Sequence, residues 1–441
     1  MLIEIKGRGH RCNHSCSLAN TSVTNFIVVE YNGYIGSRLV ATDFGENHYG
    51  DPYRVELGAN WVHGRGGNIL NPINLLLQKH NDATVLPDYE NYLTYNETGE
   101  IEIDLWDAYD EADMVATAEA DWSIAVPHDY SSLIFNTAVE NFTYGLFGDE
   151  EPFIVDSRGY NTIVSGEAFT FLQPNDPRLL LNTIVTDISH SDSGVTVHNA
   201  DGTCISAAYA INTSSLGVLK HDSVSYTPAL PTWKSTAIQN FGMTTYTKIF
   251  LQFPTTFWPQ DTNSSTMRIP TNEETIPSSN LSPTQLISAS TATSSSQPRL
   301  PNNRTASNAK PTQTQAEIMA FLAEMFPNIT IPEPTAFLYP RWTLNPAFRG
   351  SYSYWPPGVT IREHQNVRAI VGRMFFAGEH TEPKFFGLLG RECLGSAGEP
   401  DDEACGELRH FELVDGDTPE EDLVTENRWP VESVAMESFG A

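Results

Sequence analysis

The chain has 441 residues, room for two packed units, and 40% apolar and 11% aromatic residues mark it as globular over most of its length. Asp plus Glu number 55 against 25 Lys plus Arg, a formal charge of −30 that repels nucleic acid and other polyanions and draws cationic ligands. No apolar run is long enough to span a bilayer.

At the amino end, residues 2–5 read as a very short strand. Gly7-Arg8-Gly9-His10-Arg11-Cys12 follows and keeps the first two glycines of a G-x-G-x-x-G turn. Cys12 stands third, where a glycine normally lets the helix pack close to its strand. Residues 23–30 predict a buried strand ending in Glu30, a position from which a carboxylate accepts hydrogen bonds from a ribose 2′-hydroxyl. Gly33, Gly36 and Arg38 come next; glycine lets backbone approach a pyrophosphate and a guanidinium neutralises it.

Apolar spacing predicts an amphipathic helix over 68–80 and further helices over 101–120 and 131–145. Short alternating pieces over 182–210, with a polar turn at 189–194, predict paired strands. Residues 244–253 predict a strand that carries Lys248 among apolar neighbours, where an ammonium needs a polar cavity or a partner. From 260 to 312 the pattern becomes Ser, Thr, Pro and Asn, which predicts a disordered insertion; a short helix is expected over 315–326. Residues 396–441 read as an acidic irregular tail.

The five cysteines, Cys12, Cys16, Cys204, Cys393 and Cys405, form neither a disulfide framework nor a metal site and read as free thiols. Charged residues interrupt any leader at Met1, yet nine Asn-x-Ser/Thr triplets occur, Asn212 among them. The expectation is a secreted glycoprotein if a leader lies upstream, and a cytoplasmic protein otherwise.

Two distant segments carry the chemistry: Val55-Glu56-Leu57-Gly58-Ala59-Asn60-Trp61-Val62-His63-Gly64, and Phe375-Phe376-Ala377-Gly378-Glu379-His380-Thr381 leading to Phe386-Gly387-Leu388-Leu389-Gly390. With the blocks at 27–38, 156–167, 216–220, 246–253, 340–342 and 350–359, the chain resembles the flavin-containing amine oxidases, most closely the fungal polyamine oxidases of secreted type. The resemblance covers 20–258 and 313–390. It implies an α/β fold of two domains: a Rossmann-like FAD domain, degraded at its amino end, and a substrate domain of mixed sheet and helix. The FAD domain would combine 1–75, 155–235 and 345–395, and the substrate domain 76–154 and 236–344.

The resemblance also implies residue roles. Glu30 would bind the adenosine ribose, and Gly7 and Gly9 the pyrophosphate. Gly36 and Arg38 would form the next flavin turn, with Ser37 replacing a usual glycine. Leu57, Gly58, Ala59, Asn60 and Trp61 would pass beside the isoalloxazine, and Val185 would meet the adenine through its backbone. Gly378 and Glu379 would lie near the ribityl and pyrophosphate, with Trp342 and Trp355 on the flavin-facing wall and the Pro356-Pro357-Gly358 turn presenting the Trp355 ring. Lys248 would be catalytic beside flavin N5, holding a water that serves flavin reoxidation or imine hydrolysis. His63 would face the amine, where it accepts a hydrogen bond, orients substrate or keeps the nitrogen neutral. Tyr354, Phe385 and Phe386 would complete a slot for a methylene chain.

Covalently attached members use a cysteine in the block matching 350–358; none occurs here, so noncovalent FAD is implied, and no metal. The implied partners are a small polyamine (spermine, spermidine or an acetylated form) and dioxygen. After Gly387 the family's histidine-glycine-aromatic helix is replaced by Leu389-Gly390-Arg391-Glu392-Cys393. Two alternatives stand beside the polyamine oxidase: a flavin-free remnant of the family, and an oxidase of monoamine or histone demethylase type.

Overall fold

The strand Phe26–Val29 is a run of four apolar residues, and it lies inside a five-stranded sheet. This computed structural model describes residues 2–5, 25–86, 93–96, 99–101, 126, 128–258, 265–268, 277–281, 286–291 and 311–382. The sheet orders as Met374–Phe376, Tyr209–Asn212, Leu2–Ile5, Phe26–Val29 and Leu179–Leu180. Tyr209–Asn212 runs parallel to Met374–Phe376, and Phe26–Val29 parallel to Leu179–Leu180. Phe26–Val29 is buried at three of its four positions, which suits its unbroken apolar run. Helices Thr232–Asn240 and Ile361–Arg368 help cover it, burying Ile238 and Val367 with Val29, Ala210, Met374 and Phe376. Thr360 and Glu363 close a capping box that starts the second of these helices.

The central strand departs from expectation. Leu2–Ile5 runs antiparallel to both neighbours, pairing Leu2 with Val29 and Asn212, and Ile5 with Phe26 and Tyr209. In a dinucleotide fold the first strand is parallel to its neighbours, so the turn after it opens at the carboxyl edge of the sheet. Here the chain leaves Ile5 at the opposite edge, where Phe26 and Tyr209 begin their strands. Gly7 and Gly9 themselves lie outside the described residues.

A second, seven-stranded mixed sheet places Thr247–Gln252 between Ala336–Leu338 and Leu286–Thr291. Ile249, Leu251 and Phe253 pack against Ile318, Leu322 and Met325 of helix Pro311–Met325, whose apolar positions recur every three or four residues. The expectation of a disordered insertion at 260–312 is corrected where the span is described: Ser265–Arg268, Pro277–Leu281 and Leu286–Thr291 are strands of this sheet, and 260–264, 269–276, 282–285 and 292–310 lie outside the described residues. Low apolar content misled the sequence reading, since threonine fits a pleated surface and an antiparallel ladder satisfies the backbone. A hairpin of Val185–Ser191 and Gly194–Asn199 turns where expected. Helices Pro72–His80 and Leu133–Phe147 fall within or beside the predicted spans; 101–120 lies outside the described residues apart from Ile101. The architecture is α/β, as expected. Asn212 is 2% exposed and donates to the Tyr226 hydroxyl at 2.9 Å, which rules this Asn-x-Ser out as a glycan site in the folded chain.

Candidate active site

Glu30 is buried at the carboxyl end of Phe26–Val29. The Asn32 backbone and side chain both donate to its Oε1, at 3.0 and 2.8 Å. Glu30 N donates to Leu180 O, and Glu30 O accepts from Thr183 N, both at 2.9 Å. The chain leading to Val185 therefore runs beside the Glu30 backbone. Gly36 has φ of 109°, and a Cβ there would lie 2.5 Å from Asn161 Oδ1. That amide oxygen is buried with no hydrogen bond among the described residues, while its Nδ2 donates to Ile35 O at 2.7 Å. Ser37 holds φ of 56°, the left-handed region where a glycine is at ease.

Two strands, Ala41–Phe44 and Tyr53–Glu56, pair and carry the chain into the 57–61 segment. A Cβ on Gly58 would sit 1.6 Å from Arg38 O, so only glycine allows the two backbones to touch. Lys248 lies beneath them. Its Nζ donates to Gly58 O at 2.5 Å, to Asn60 Oδ1 at 2.7 Å and to Glu56 O at 3.4 Å. An ammonium has three donors, and all three hold this segment. Lys248 is 8% exposed, and burial pulls its ammonium down to about 7 against the opposing pull of the Glu56 carboxylate. Burial likewise raises Glu56, while a backbone hydrogen bond from Tyr160 and the charge of Lys248 lower it.

The carboxyl-terminal motif comes to the same place. Gly378, with φ of 143°, follows strand Met374–Phe376, and Ala377 N is held by Asn212 O at 3.0 Å. This delivers Glu379 to Arg38, with Nη1 and Oε1 3.2 Å apart. Arg38 Nη1 also donates to Ser351 O, and the Ser353 hydroxyl donates to Glu379 Oε2. Behind Glu379, burial pushes the His380 imidazole down to about 4, so it is neutral, and its ring nitrogens make no hydrogen bond among the described residues. Lys234, fully buried, anchors the end of the preceding helix by donating to Val367 O and Ala369 O, each at 2.7 Å, and lies 3.5 Å from the Phe376 ring centroid.

On the other side, Val62 N donates to Pro152 O at 2.9 Å and Ile154 N to Asn60 O at 2.8 Å. The Trp61 and Phe153 rings meet edge-on at 4.8 Å. This pairing sets His63 Nδ1 2.6 Å from Glu151 Oε1, and the Tyr144 hydroxyl donates to the same oxygen.

Gly58, Asn60, Arg38, Lys248 and Glu379 are thus joined through direct contacts, with Leu57, Trp61 and His63 continuing the same segment. Ala59 is exposed between Gly58 and Asn60. Trp342 is buried against Phe348 at 5.4 Å, and the Tyr354 ring lies over Gly242. Trp355 is not presented by its proline turn. It is 2% exposed, stacked between Phe135 at 4.2 Å and His364 at 5.1 Å, so its ring is core packing. Phe385 and Phe386 lie outside the described residues. Sequence reasoning missed Asn161, Ser353, Lys234 and Glu151. The last sits in Asp149-Glu150-Glu151, which looks like any solvated acidic run.

The carboxyl edge fits a flavin dinucleotide. It offers a buried strand-end carboxylate, a glycine contact that admits no Cβ, an unsatisfied Asn161 oxygen and a guanidinium beside a glycine turn. Among the described residues the reversed Leu2–Ile5 strand does not follow the pattern. Among the described residues no helix is long and apolar enough to cross a membrane, and no group of three or more His, Cys, Asp or Glu could hold a metal ion.

Residues 131–398 match the family described as flavin containing amine oxidoreductase. Polyamine oxidase 1 of Zea mays is 32% identical over 437 residues, covering 84% of each chain. Polyamine oxidase 7 of Oryza sativa subsp. japonica is 32% identical over 439 residues, 84% of this chain and 88% of that one. Histone demethylase-like protein A of Aspergillus fumigatus matches at 28% over only 45% of this chain and 20% of its own length. The expected likeness to fungal polyamine oxidases of secreted type is corrected by these matches: relatives that span most of the chain are plant polyamine oxidases.

Proposed function

We propose that this chain, which belongs to the flavin containing amine oxidoreductase family, oxidises a polyamine beside one of its nitrogens and passes the electrons to dioxygen. The observation that carries this reading is the junction of Lys248, the 56–60 segment and the Arg38–Glu379 pair at one sheet edge. A bound flavin supplies the chemistry of removing a hydride equivalent from the carbon next to a neutral amine and reducing dioxygen to hydrogen peroxide. Water then splits the imine into an aldehyde and an amine.

The chain's own residues would do the holding. Glu30 would take the ribose hydroxyls, Arg38 would face the pyrophosphate, and Gly58 would let the backbone lie against the ring system. Lys248 would keep the 56–60 segment in place and, with its ammonium near 7, exchange a proton at neutral pH. Polyamine rather than another amine is supported by the coverage of the plant relatives and by the charge of −30, which concentrates polycations near the surface.

A second reading, a family member that takes no flavin, is favoured by one observation, the reversed amino-terminal strand. The test is to add FAD to purified protein, remove excess and look for the visible flavin band, then measure peroxide release with spermidine and with benzylamine. A retained band with peroxide from spermidine is expected. Peroxide from benzylamine alone overturns the polyamine reading, and no retained flavin favours the second.

A further inference from the structure

The acidic residue opposite His63 belongs to no motif of the chain, yet its geometry is that of a group that orients an imidazole. We propose that Glu151 is a positioning residue: it holds His63 as the Nδ1–H tautomer, so that Nε2 offers a lone pair to the proton of an incoming substrate ammonium. This rests on the reading that the substrate is a cationic amine.

The mounting is rigid on both sides. The His63 carbonyl accepts from Asn71 Nδ2 at 2.8 Å, and Asn71 also caps helix Pro72–His80 by accepting from Ile73 N at 2.9 Å. Gly64 has φ of 88°, and a Cβ there would come within 2.7 Å of Phe147 Cβ, so glycine is required after His63 and the backbone passes close against helix Leu133–Phe147. Glu151 is held by Tyr144 of helix Leu133–Phe147 through the same Oε1 that meets His63 Nδ1. A carboxylate only accepts, so at 2.6 Å the proton between the two lies on Nδ1. Nε2 makes no hydrogen bond among the described residues, and the ring is 35% exposed against 25% for Glu151. Other ionisable groups described at this corner include Tyr144 and an Arg65–Glu150 pair at 2.8 Å.

The proton balance closes. Substrate ammonium gives its proton to Nε2 and becomes the neutral amine that oxidation requires. The imidazolium so formed carries its charge against the Glu151 carboxylate, and the exposed ring returns the proton to water.

The test uses the full chain with ¹⁵N-labelled histidine. His63 is assigned by the resonance lost in His63→Gln. Wild type is expected to show the Nδ1–H tautomer, and Glu151→Leu a mixture. A His63 signal that keeps its tautomer in Glu151→Leu overturns the proposal whether or not the protein is active. Should Glu151→Leu fail to fold, Glu151→Gln retains the volume and an accepting carbonyl but not the charge. It is expected to keep the tautomer while kcat/KM for spermidine at neutral pH falls about a hundredfold and recovers as pH rises. A pH profile of Glu151→Gln parallel to wild type also overturns the assignment. Inert wild type with the tautomer held and then lost in Glu151→Leu would count against the oxidase reading and leave the positioning role standing.

Discussion

Lys248→Met is the perturbation that tests the site's electrostatics without any ligand. Burial brings the folded-state ammonium to about 7, against an ordinary value of 10.5 in the unfolded chain. Between those values the unfolded state binds more protons than the folded one, so stability rises with pH. Below about 7 both states are protonated and the folded chain carries the full desolvation cost; above 10.5 neither is, and the cost vanishes. Integrating the linkage from pH 7 to pH 9 gives a gain of about 2 kcal/mol assigned to this one lysine.

The substitution removes that pH dependence. It also strips donors from Glu56 O, Gly58 O and Asn60 Oδ1, which costs about 1–3 kcal/mol for each acceptor left buried and unpaired. That second cost does not vary with pH. Urea unfolding of wild type and Lys248→Met at pH 7 and pH 9 separates the two: the wild-type advantage should grow by about 2 kcal/mol at the higher pH. An advantage equal at both values refutes the reasoning, since it would mean that Lys248 titrates in the folded chain as it does in water.

Other substitutions probe the frame around it. Gly58→Ala places a methyl within 1.6 Å of Arg38 O, so it should cost about 3 kcal/mol or more in urea unfolding and abolish flavin uptake. Ser37→Gly relieves a φ of 56° and should raise the unfolding midpoint by up to about 1 kcal/mol of stability. Arg158→Leu leaves the Asp82 carboxylate, its side chain buried and 2.7 Å from the guanidinium, without its charge partner; a loss of stability at neutral pH is expected. Because burial first, and Asp156 in part, raise Asp82 to about 6, the folded chain takes up that proton more readily than the unfolded one. The loss in Arg158→Leu should therefore shrink as pH falls from 7 toward 4, read from the same unfolding curves.

Residues whose local chemistry conflicts with their neighbours were legible before the fold was known. Glu30 ends an apolar run, and a carboxylate there has few reasons to exist other than a ligand or a capping role. Lys248 interrupts a buried strand, and its cost had to be offset by specific acceptors. Glu151 stayed hidden because it lies among acids, and its distinction is a partner 88 positions away. Lys234 was hidden for the opposite reason: its helix has few apolar positions, so nothing marked it as the residue that would lie fully buried on carbonyls. The strands within 265–291 were missed because composition was read in place of pairing, and the direction of Leu2–Ile5 was beyond a one-dimensional reading because either sense satisfies the same hydrogen-bonding groups.

The site is assembled chiefly through backbone carbonyls, which bears on how it tolerates change. Lys248 holds Glu56 O and Gly58 O, Arg38 reaches Ser351 O, Lys234 takes Val367 O and Ala369 O, and Asn71 takes His63 O. A carbonyl acceptor survives substitution on its own residue, so side chains along 56–63 can vary while the segment's path stays the same, except at Gly58, which admits no Cβ, and at Glu56 and Asn60, whose side chains accept from Tyr160 N and Lys248. The donors have no such latitude, since each cation is matched to two or more oxygens whose spacing belongs to the backbone. Variation that alters substrate preference without loss of the fold should therefore fall on Ala59 and His63, whose side chains take no part in holding the segment's path. Arg38, Lys234 and Lys248 should vary least, and Lys248→Arg should destabilise the chain as Lys248→Met does, because a planar fork cannot reproduce three acceptors arranged around a point charge.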